Sequence, residues 1–238
     1  MSDRSIQFRS GIVDGIPIAL GYLAVSFTFG IMAGDAGLSV AEAVVLSFTN
    51  LTSAGQFAGL GVMQAGASFA EMALTQLVIN LRYCLMSCSL SQKLSPKMPF
   101  FHRFLIAYGV TDEIFGVSVC REGTLSPWYS YGLISAAVPG WTIGTLLGAV
   151  SGNLLPQRLL SALSVALYGM FLAVILPPAR ENKVLMGIIL VSMAASLLFA
   201  AVPVLSGISS GFKIIILTVL IAGGAAFLFP VKEEKTDV

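Results

Sequence analysis

The sequence TNLTSAGQFAGLG, from Thr49 to Gly61, interrupts a long apolar run at its middle, and this interruption decides the fold. The interrupting residues combine amides, hydroxyls and a position without a side chain: Asn50, Thr52, Ser53, Gly55 and Gln56. Inside a membrane, non-helical backbone is tolerated only where protein or a water-filled cavity covers it. We therefore predict two half-helices that enter and leave the membrane on the same side. One continuous helix with a polar stripe is the alternative.

The composition places the chain in a membrane. Of its 238 residues, 56% are hydrophobic and 11% are charged, and the mean hydropathy is +0.90. A soluble domain carries about 25% charged residues, so too few are present to cover a surface that faces water. The net charge of +1 and the lack of a basic cluster exclude nucleic acid as a partner. The first apolar run, Ile12–Gly34, is longer than a signal-peptide core of about 7–15 residues, so we interpret it as a membrane segment.

A helix needs about 20 apolar residues to cross the hydrocarbon, and eight such segments follow one another. They lie near residues 12–34, 41–65, 71–93, 101–120, 128–151, 159–178, 184–204 and 212–230. If every segment crosses, seven basic residues lie inside and five outside. If segments two and six turn back as pairs of half-helices, ten lie inside and only Arg121 and Lys213 lie outside. Basic residues concentrate on the cytoplasmic side, so we predict an all-α polytopic membrane protein with re-entrant segments two and six and a cytoplasmic N-terminus.

A weak internal repeat agrees with that topology. FGIMAGDAGLS (29–39) resembles LGAVSGNLLP (147–156), and Gly169 lies near the middle of segment six. We therefore predict a single transport domain, 1–238, with two inverted halves, about 10–122 and 126–232, in which segments one and five cross in opposite directions. Transporters built in this way bind substrate at the midplane. The glycines at every fourth position of segment five predict a face for close helix packing.

Three ionisable residues lie deep in the predicted segments: Arg82 in segment three, and Asp112 with Glu113 in segment four. Charges at such depth are costly and usually pair with one another. Asn80 belongs to a polar stripe, whereas Arg82 lies about 200° round the helix from it. We therefore predict that Asn80 faces substrate and that Arg82 reaches Asp112 or Glu113. A structural ion pair and a proton-coupling site both remain open for this trio.

The other polar residues carry weaker predictions. Asp14, shortly before Pro17, is expected near the inner interface, where it caps or snorkels, although the neighbouring glycine and proline allow an unwound start to segment one. Glu71, at a segment end, is expected to face water.

The cysteines, Cys84, Cys88 and Cys120, are interpreted as small buried hydrophobes, because two thiols one turn apart without histidine or carboxylate make a poor metal site. We predict no metal and no cofactor.

Several motifs resemble the AzlC family, the large subunit of branched-chain amino-acid exporters. They are GIPIALG, FGIMAGDAGLSVAEAVVLSFTNLTSAGQF, INLRY, TDEIF and GWTIGTLLG, and the resemblance covers nearly the whole chain. It implies export of leucine, isoleucine and valine from a prokaryotic cell, driven by the proton motive force, with a small AzlD-like membrane protein as partner. The family's motifs match here at Ala54 to Phe57, Asn80 to Arg82, Thr111 to Glu113, and Trp141. Tyr83 stands where the family often has histidine.

An apolar amino acid needs polar partners for its ammonium and carboxylate groups and an apolar slot for its side chain. We expect the region from Asn50 to Gln56 and the adjoining half-helix ends to hold the charged groups, and Phe57 to line the slot. Gly169, in the second broken segment, is also predicted to lie at the substrate. A channel-like facilitator, in which two re-entrant loops form a filter, is the alternative function. An enzyme is not expected, because the sequence contains no catalytic dyad or HExxH motif.

Overall fold

The computed structural model describes residues 3–151, 176, 179–180, 182–202 and 208–229. These residues form the helices α1 (Asp3–Asp35), α2 (Val40–Thr49), α3 (Ala54–Gln64), α4 (Phe69–Gln92), α5 (Phe100–Tyr108), α6 (Asp112–Cys120), α7 (Pro127–Ser151), α8 (Lys183–Ala201) and α9 (Ser210–Leu228). The chain divides into two compact units. The first unit contains Met1–Leu60 and Asn80–Leu167, and the second contains Gly61–Ile79 and Tyr168–Val238.

Helices α1 and α7 form the parallel frame of the first unit. A side chain at Gly132 would strike Gly11, one at Gly140 would strike Ala19, and one at Gly148 would strike Phe27. The numbering difference is the same in each pair, so the two helices run in the same direction. Small residues let the backbones approach closely, which is a main source of helix association in lipid. We call the end where α1 and α7 begin the proximal end, and the end where they stop the distal end.

This arrangement corrects the predicted relation between segments one and five. Because α1 and α7 are parallel along their length, the prediction that these segments cross in opposite directions is wrong, and the inverted repeat of halves 10–122 and 126–232 does not relate them. The physical reason lies in the glycines. Gly30 and Gly148 each lie against the other helix, where a Cβ would strike backbone, and a glycine needed for close packing carries no information on helix direction.

Helices α2 and α3 form a re-entrant hairpin from the distal end, which we call hairpin 1. Ala43 and Leu60 share one buried cluster with Phe29 of α1, while Ser47 Oγ accepts a hydrogen bond from Gln56 Nε2 at 3.4 Å. The two helices are therefore antiparallel and turn at residues 50–53. Ten residues of helix span about 15 Å, half of the roughly 30 Å hydrocarbon. The predicted pair of half-helices in segment two agrees with this geometry.

Helices α5 and α6 form a second hairpin, hairpin 2, which enters from the proximal end. Tyr22, at the middle of α1, contacts Thr111 and Glu113 at the start of α6. Arg121, just after α6, contacts Gln7 and Ser10 near the beginning of α1. Helix α6 therefore runs from mid-depth back to the end from which α5 came.

Segment four was predicted to cross as one helix with Arg121 outside, and both predictions are wrong. A run of 20 apolar residues is long enough for one crossing or for two half-helices, and length alone does not distinguish them. The non-helical residues Gly109 to Thr111 separate α5 from α6. Arg121 lies at the proximal end with the other end-located basic residues of this unit, namely Arg4, Arg9, Lys93, Lys97 and Arg103.

In the first unit, helix α4 runs from mid-depth at Asn80 to the proximal end. Asn80 lies beside Gly55 at mid-depth, and the Lys93 ammonium group after α4 donates to the carbonyls of Val119 and Arg121. Arg103, near the start of α5, donates to the Ser95 carbonyl at 2.8 Å. Both outer ends of hairpin 2 are thus fastened to the segment that follows α4.

The second unit contains α8 and α9, which with α1 and α7 are the described helices that are long and apolar enough to cross a membrane. Glu71, expected to face water, is instead 6% exposed, and its carboxylate accepts a hydrogen bond from the Ser209 hydroxyl at the start of α9. A carboxylate at a helix N-terminus is stabilised by the helix dipole. In segment six, Leu176 is among the described residues, and residues 179–180 follow just beyond the segment. Gly169 and the rest of the segment lie outside the described residues.

Candidate functional site

The tip of hairpin 1 is a compact Asx turn at mid-depth. Asn50 ends α2, and its Oδ1 accepts hydrogen bonds from Thr52 Oγ1 at 2.7 Å and from Thr52 N at 3.3 Å. Asparagine favours this turn because its side chain can replace a backbone acceptor. Ser53 adopts a left-handed φ of +46°, which is uncommon for a residue with a side chain. The turn thus directs the N-terminus of α3 toward the middle of the unit.

The tip of hairpin 2 is formed by Gly109, Val110 and Thr111. A Cβ at Gly109 would lie against Ile134 of α7, so a residue without a side chain is needed there. Thr111 caps α6, accepting a hydrogen bond from Ile114 N at 3.3 Å. A threonine cap contributes about 0.5–2 kcal/mol to helix stability. The Tyr108 hydroxyl donates to the Phe48 carbonyl at the end of α2, which connects the two tips directly.

Helix α4 passes both tips and contacts each with a different side chain. A Cβ on Gly55 would lie 2.9 Å from both Nδ2 and Oδ1 of Asn80. Arg82 Nη1 lies 2.9 Å from Asp112 Oδ2 at the tip of hairpin 2. Between them, Tyr83 donates to the Thr52 carbonyl at 3.4 Å, and its ring lies under the Arg82 guanidinium, 5.1 Å from centroid to Cζ. The predicted pairing of Arg82 with a carboxylate of the next segment is thus observed.

The adjacent carboxylates of α6 have different partners. Asp112 pairs with Arg82, whereas Glu113 Oε2 lies 2.6 Å from the Tyr22 hydroxyl. The same hydroxyl lies 2.6 Å from Thr111 Oγ1. In the part of the chain that the structure describes, no basic side chain lies within salt-bridge distance of Glu113. One carboxylate is therefore neutralised by a cation, and the other is held by a phenol.

Trp141 and Gln56 lie in the packing behind the tips rather than at their surface. The Trp141 ring is 2% exposed and meets the Tyr22 ring edge-to-face at 5.3 Å, and its Nε1 has no partner among the described residues. Gln56 is 2% exposed and donates to Ser47, whose hydroxyl lies 2.7 Å from Thr145 Oγ1. These hydroxyls connect hairpin 1 to α7 and hold it in place.

The other residues singled out in the sequence lie away from the hairpin tips or pack inside the fold. Phe57 meets Phe29 edge-to-face at 5.4 Å and packs against the buried cluster of hairpin 1, so its ring does not lie at the tip. Pro17 lies inside α1, which continues as a helix from Asp3, so the unwound start considered for segment one is not observed. Asp14, at the proximal end, accepts a hydrogen bond from Tyr129 at 2.7 Å. All three cysteines, predicted to be buried, are exposed in the structure.

A cavity of about 170 Å³ lies between α4 and α5, on the proximal side of the tips. Its walls combine five apolar side chains with two serines from the polar stripe of α4 and one arginine from α5: Ser87, Leu90, Ser91, Leu94, Arg103, Ile106, Ala107 and Val110. The stripe therefore continues from Asn80 and Tyr83 at the tips into a space with largely apolar walls. Such a space fits a branched aliphatic side chain.

The most important residue that the sequence analysis missed is Tyr22. It lies in an apolar stretch of α1, and a lone phenol in such a stretch is the only local signal. A buried tyrosine usually finds a partner for its hydroxyl, but the partner here is separated by about ninety residues. Among the described residues, no group of three or more His, Cys, Asp or Glu side chains could hold a metal.

Comparison with known proteins identifies relatives of this chain. The family model described as AzlC protein matches residues 17–155. An uncharacterized membrane protein of Archaeoglobus fulgidus is 32% identical over 183 residues, covering 76% of this chain and 80% of that protein. The inner membrane protein YgaZ of Escherichia coli is 30% identical over 217 residues, covering 87% of this chain and 89% of that protein. No solved structure matches the chain.

Proposed function

The chain belongs to the AzlC family, and from that premise we propose that it is a secondary transporter that exports branched-chain or other apolar amino acids across the cytoplasmic membrane of a prokaryote. The observation that carries the proposal is the meeting of two re-entrant hairpins at mid-depth, beside the continuous helix α4. Broken helices that meet at the midplane are where many transporters bind substrate.

The two tips offer complementary surroundings for a zwitterion. Helix α3 begins at Ala54 without an acidic residue in its first turn, so its positive dipole end suits a carboxylate. Helix α6 begins with Asp112 and Glu113, which favour an ammonium group. Asn80 lies between them on α4, and the adjoining cavity accepts the apolar side chain. These features favour an apolar amino acid over an ion as substrate.

We further propose that the transport is coupled to protons through Glu113. Tyr22 has one hydroxyl hydrogen and two oxygen neighbours. When Glu113 is ionised, that hydrogen is donated to Oε2. When Glu113 is protonated, the carboxyl group donates to the Tyr22 oxygen, and Tyr22 donates to Thr111 Oγ1 instead. Protonation thus reverses the hydrogen bonds at the tip of hairpin 2, next to the proposed substrate.

The charge distribution supports a cytoplasmic N-terminus. At the ends of the first unit, the described basic residues lie at the proximal end, whereas Asp35 and Glu42 lie at the distal end. Since basic residues concentrate on the cytoplasmic side, the proximal end is proposed to face the cytoplasm. The Escherichia coli relative is named as an inner membrane protein, which supports the proposed location in the cytoplasmic membrane.

A small AzlD-like membrane protein is the proposed partner. In the second unit, α8 has no buried residue, and a groove of about 540 Å³ between α8 and α9 is lined largely by apolar residues such as Ile188, Val191, Leu220 and Ile221. An apolar surface alone would only face lipid, so the proposal rests on the groove, into which another membrane helix can pack closely.

A counterflow assay tests the transport proposal. Vesicles that contain the chain and its partner are preloaded with unlabelled leucine and diluted into a trace of labelled leucine. A carrier accelerates the uptake of label against the preloaded pool, and we expect this result. The meeting of two re-entrant hairpins also favours a channel-like facilitator, and label that only equilibrates, without transient accumulation, would indicate that alternative.

A further inference from the structure

A second polar site lies away from the hairpin tips, at the proximal end of the first unit. A cavity of about 420 Å³ is bordered there by α1, the last turn of α6 and the first turn of α7. Its walls are Asp14, Gly116, Val117, Cys120, Arg121 and Tyr129. The cavity thus combines one anion, one cation, one phenol and a small apolar floor.

The two charged side chains of the cavity lie close together, but each keeps hydrogen-bonding groups that the other does not use. Arg121 Nη1 and Asp14 Oδ2 are 3.7 Å apart, whereas a charge-assisted hydrogen bond is about 2.7–2.9 Å long. The second carboxylate oxygen of Asp14 has no hydrogen-bond partner in the described ranges. Both side chains keep about a third or more of their surface exposed, so each can accept a further ligand.

The guanidinium of Arg121 is held in a fixed orientation. It lies over the Tyr129 ring with its Cζ 3.9 Å from the centroid, and it donates to Gln7 Oε1 at 3.1 Å and Ser10 Oγ at 3.4 Å. Tyr129 in turn donates to Asp14. A planar guanidinium presents five donors, so N–H groups remain for a carboxylate after these contacts.

We infer that this cavity is a docking site for the zwitterion of an apolar amino acid, in which the substrate carboxylate binds Arg121 and its ammonium group binds Asp14. An α-amino acid carries its opposite charges on neighbouring atoms of one carbon, and this matches a cation and an anion separated by a few ångströms. A compound with only one of the two groups would leave one protein charge without a partner.

The floor of the cavity has room for an aliphatic side chain. A Cβ added at Gly116 would meet no atom within 4 Å, and Val117 provides an apolar wall beside it. The cavity lies at the end proposed to face the cytoplasm, so it would receive substrate before the hairpin tips do. This inference rests on the proposed function for the identity of the substrate.

Cys120 lines the cavity and is exposed, so its reaction with a maleimide reports on occupancy. The assay uses the chain in membranes, with Cys84→Ser and Cys88→Ser removing the other thiols. At a leucine concentration about ten times its dissociation constant, we expect labelling to slow about tenfold. 4-Methylpentanoate, which is leucine without the ammonium group, and isoamylamine, which is leucine without the carboxylate, should give no protection. Equal protection by any one of them would overturn the inference.

Variants separate this site from the hairpin tips. Asp14→Asn should abolish protection by leucine, while Glu122→Gln, which changes the exposed acidic residue next to Arg121 in the chain, should retain it. Asn80→Ala, which alters the tips, should also retain it; loss of protection in Asn80→Ala would mean that binding at the tips causes the effect. Gly116→Val keeps every charged contact and should weaken protection by leucine more than protection by alanine.

Different results would refute the docking site and the proposed transport function. If the wild-type chain exports leucine while Cys120 stays unprotected, the docking site is refuted and the transport proposal stands. If no apolar amino acid is exported or gives counterflow, the transport proposal itself is refuted.

Discussion

The Glu113 carboxylate and the Tyr22 hydroxyl lie 2.6 Å apart, although the preceding residue, Asp112, is paired with Arg82. Two adjacent carboxylates in one helical turn are thus assigned to different partners, a phenol and a guanidinium. A permanently charged partner stabilises the ionised carboxylate, whereas a tyrosine can donate to an ionised carboxylate or accept from a protonated one. The two carboxylates therefore differ in their hydrogen-bond partners, and the proposal that Glu113 carries the proton can be tested by changing each one.

Glu113→Gln should abolish the dependence of export on a pH gradient while leucine counterflow continues. A glutamine side chain keeps a polar contact with Tyr22 but cannot exchange a proton. The measurement compares leucine efflux with and without an imposed pH gradient in vesicles. A variant that still responds to the gradient as the wild type does would refute the coupling role of Glu113.

Tyr22→Phe should retain the fold and slow gradient-driven export more than counterflow. The change removes one hydroxyl that contacts Glu113 and Thr111, while the ring keeps its packing on Trp141. Removing a hydrogen bond to a charged group costs about 1.5–3 kcal/mol, or roughly tenfold to a hundredfold in rate if that bond forms in the rate-limiting step. Equal slowing of both assays would indicate a purely structural role.

Neutralising Arg82 and Asp112 together should harm the chain less than neutralising either one. Removing one partner of a buried pair leaves a charge without compensation and costs about 3–5 kcal/mol, and the half-exposed positions here place the effect below that range. The measurement is the amount of folded protein in Arg82→Gln, Asp112→Asn and the double variant. Because Glu113 carries the proton in our proposal, the double variant should keep its response to a pH gradient.

Gly55→Ala should reduce transport about tenfold with little loss of folded protein. The added Cβ would lie 2.6 Å from Thr52 Oγ1 and 2.9 Å from the Asn80 amide, so both tip side chains must move. Overpacking of this kind costs about 1–3 kcal/mol. Gly61→Ala is the control on the same helix, because its Cβ meets nothing within 4 Å. Similar transport by both variants would separate the tip of hairpin 1 from substrate binding.

Cysteines placed at residues 97 and 122 should be labelled from the same side of the membrane, and a cysteine at residue 35 from the opposite side. Lys97 and Glu122 flank hairpin 2 at the proximal end, whereas Asp35 ends α1 at the distal end. An impermeant maleimide applied to intact cells and to inverted vesicles makes this measurement. Labelling of 97 and 122 from opposite sides would show that segment four crosses the membrane.

The sequence predicted hairpin 1 because its break contains several consecutive polar residues in an apolar run. It did not predict hairpin 2, because the corresponding break contains Asp112 and Glu113, whose charges were explained by pairing with Arg82 on a continuous helix. The pairing of Arg82 with a carboxylate was predicted because charges at that depth usually pair with one another, and the structure contains it. The contact between Tyr22 and Glu113 depends on packing between distant helices, which no local pattern in α1 records.

The direction of α7 shows a different limit. Its glycines at every fourth residue predicted close packing, and the contacts of Gly140, Gly144 and Gly148 with α1 confirm it. Small residues favour close approach for parallel and antiparallel pairs alike, so the spacing of the glycines does not show whether α7 runs parallel or antiparallel to α1.

The packing of α1 against α7 also implies a delay during synthesis, because the two helices are far apart in the chain. Gly11 cannot meet Gly132 until the ribosome has added the intervening residues, which takes about 6–24 s at the usual rate of about 5–20 residues per second. During that interval α1 and hairpin 1 are in the membrane without the helix that later covers them. Until α7 is made, the Ser47 hydroxyl lacks its partner Thr145, so water or another protein must satisfy this polar group during insertion.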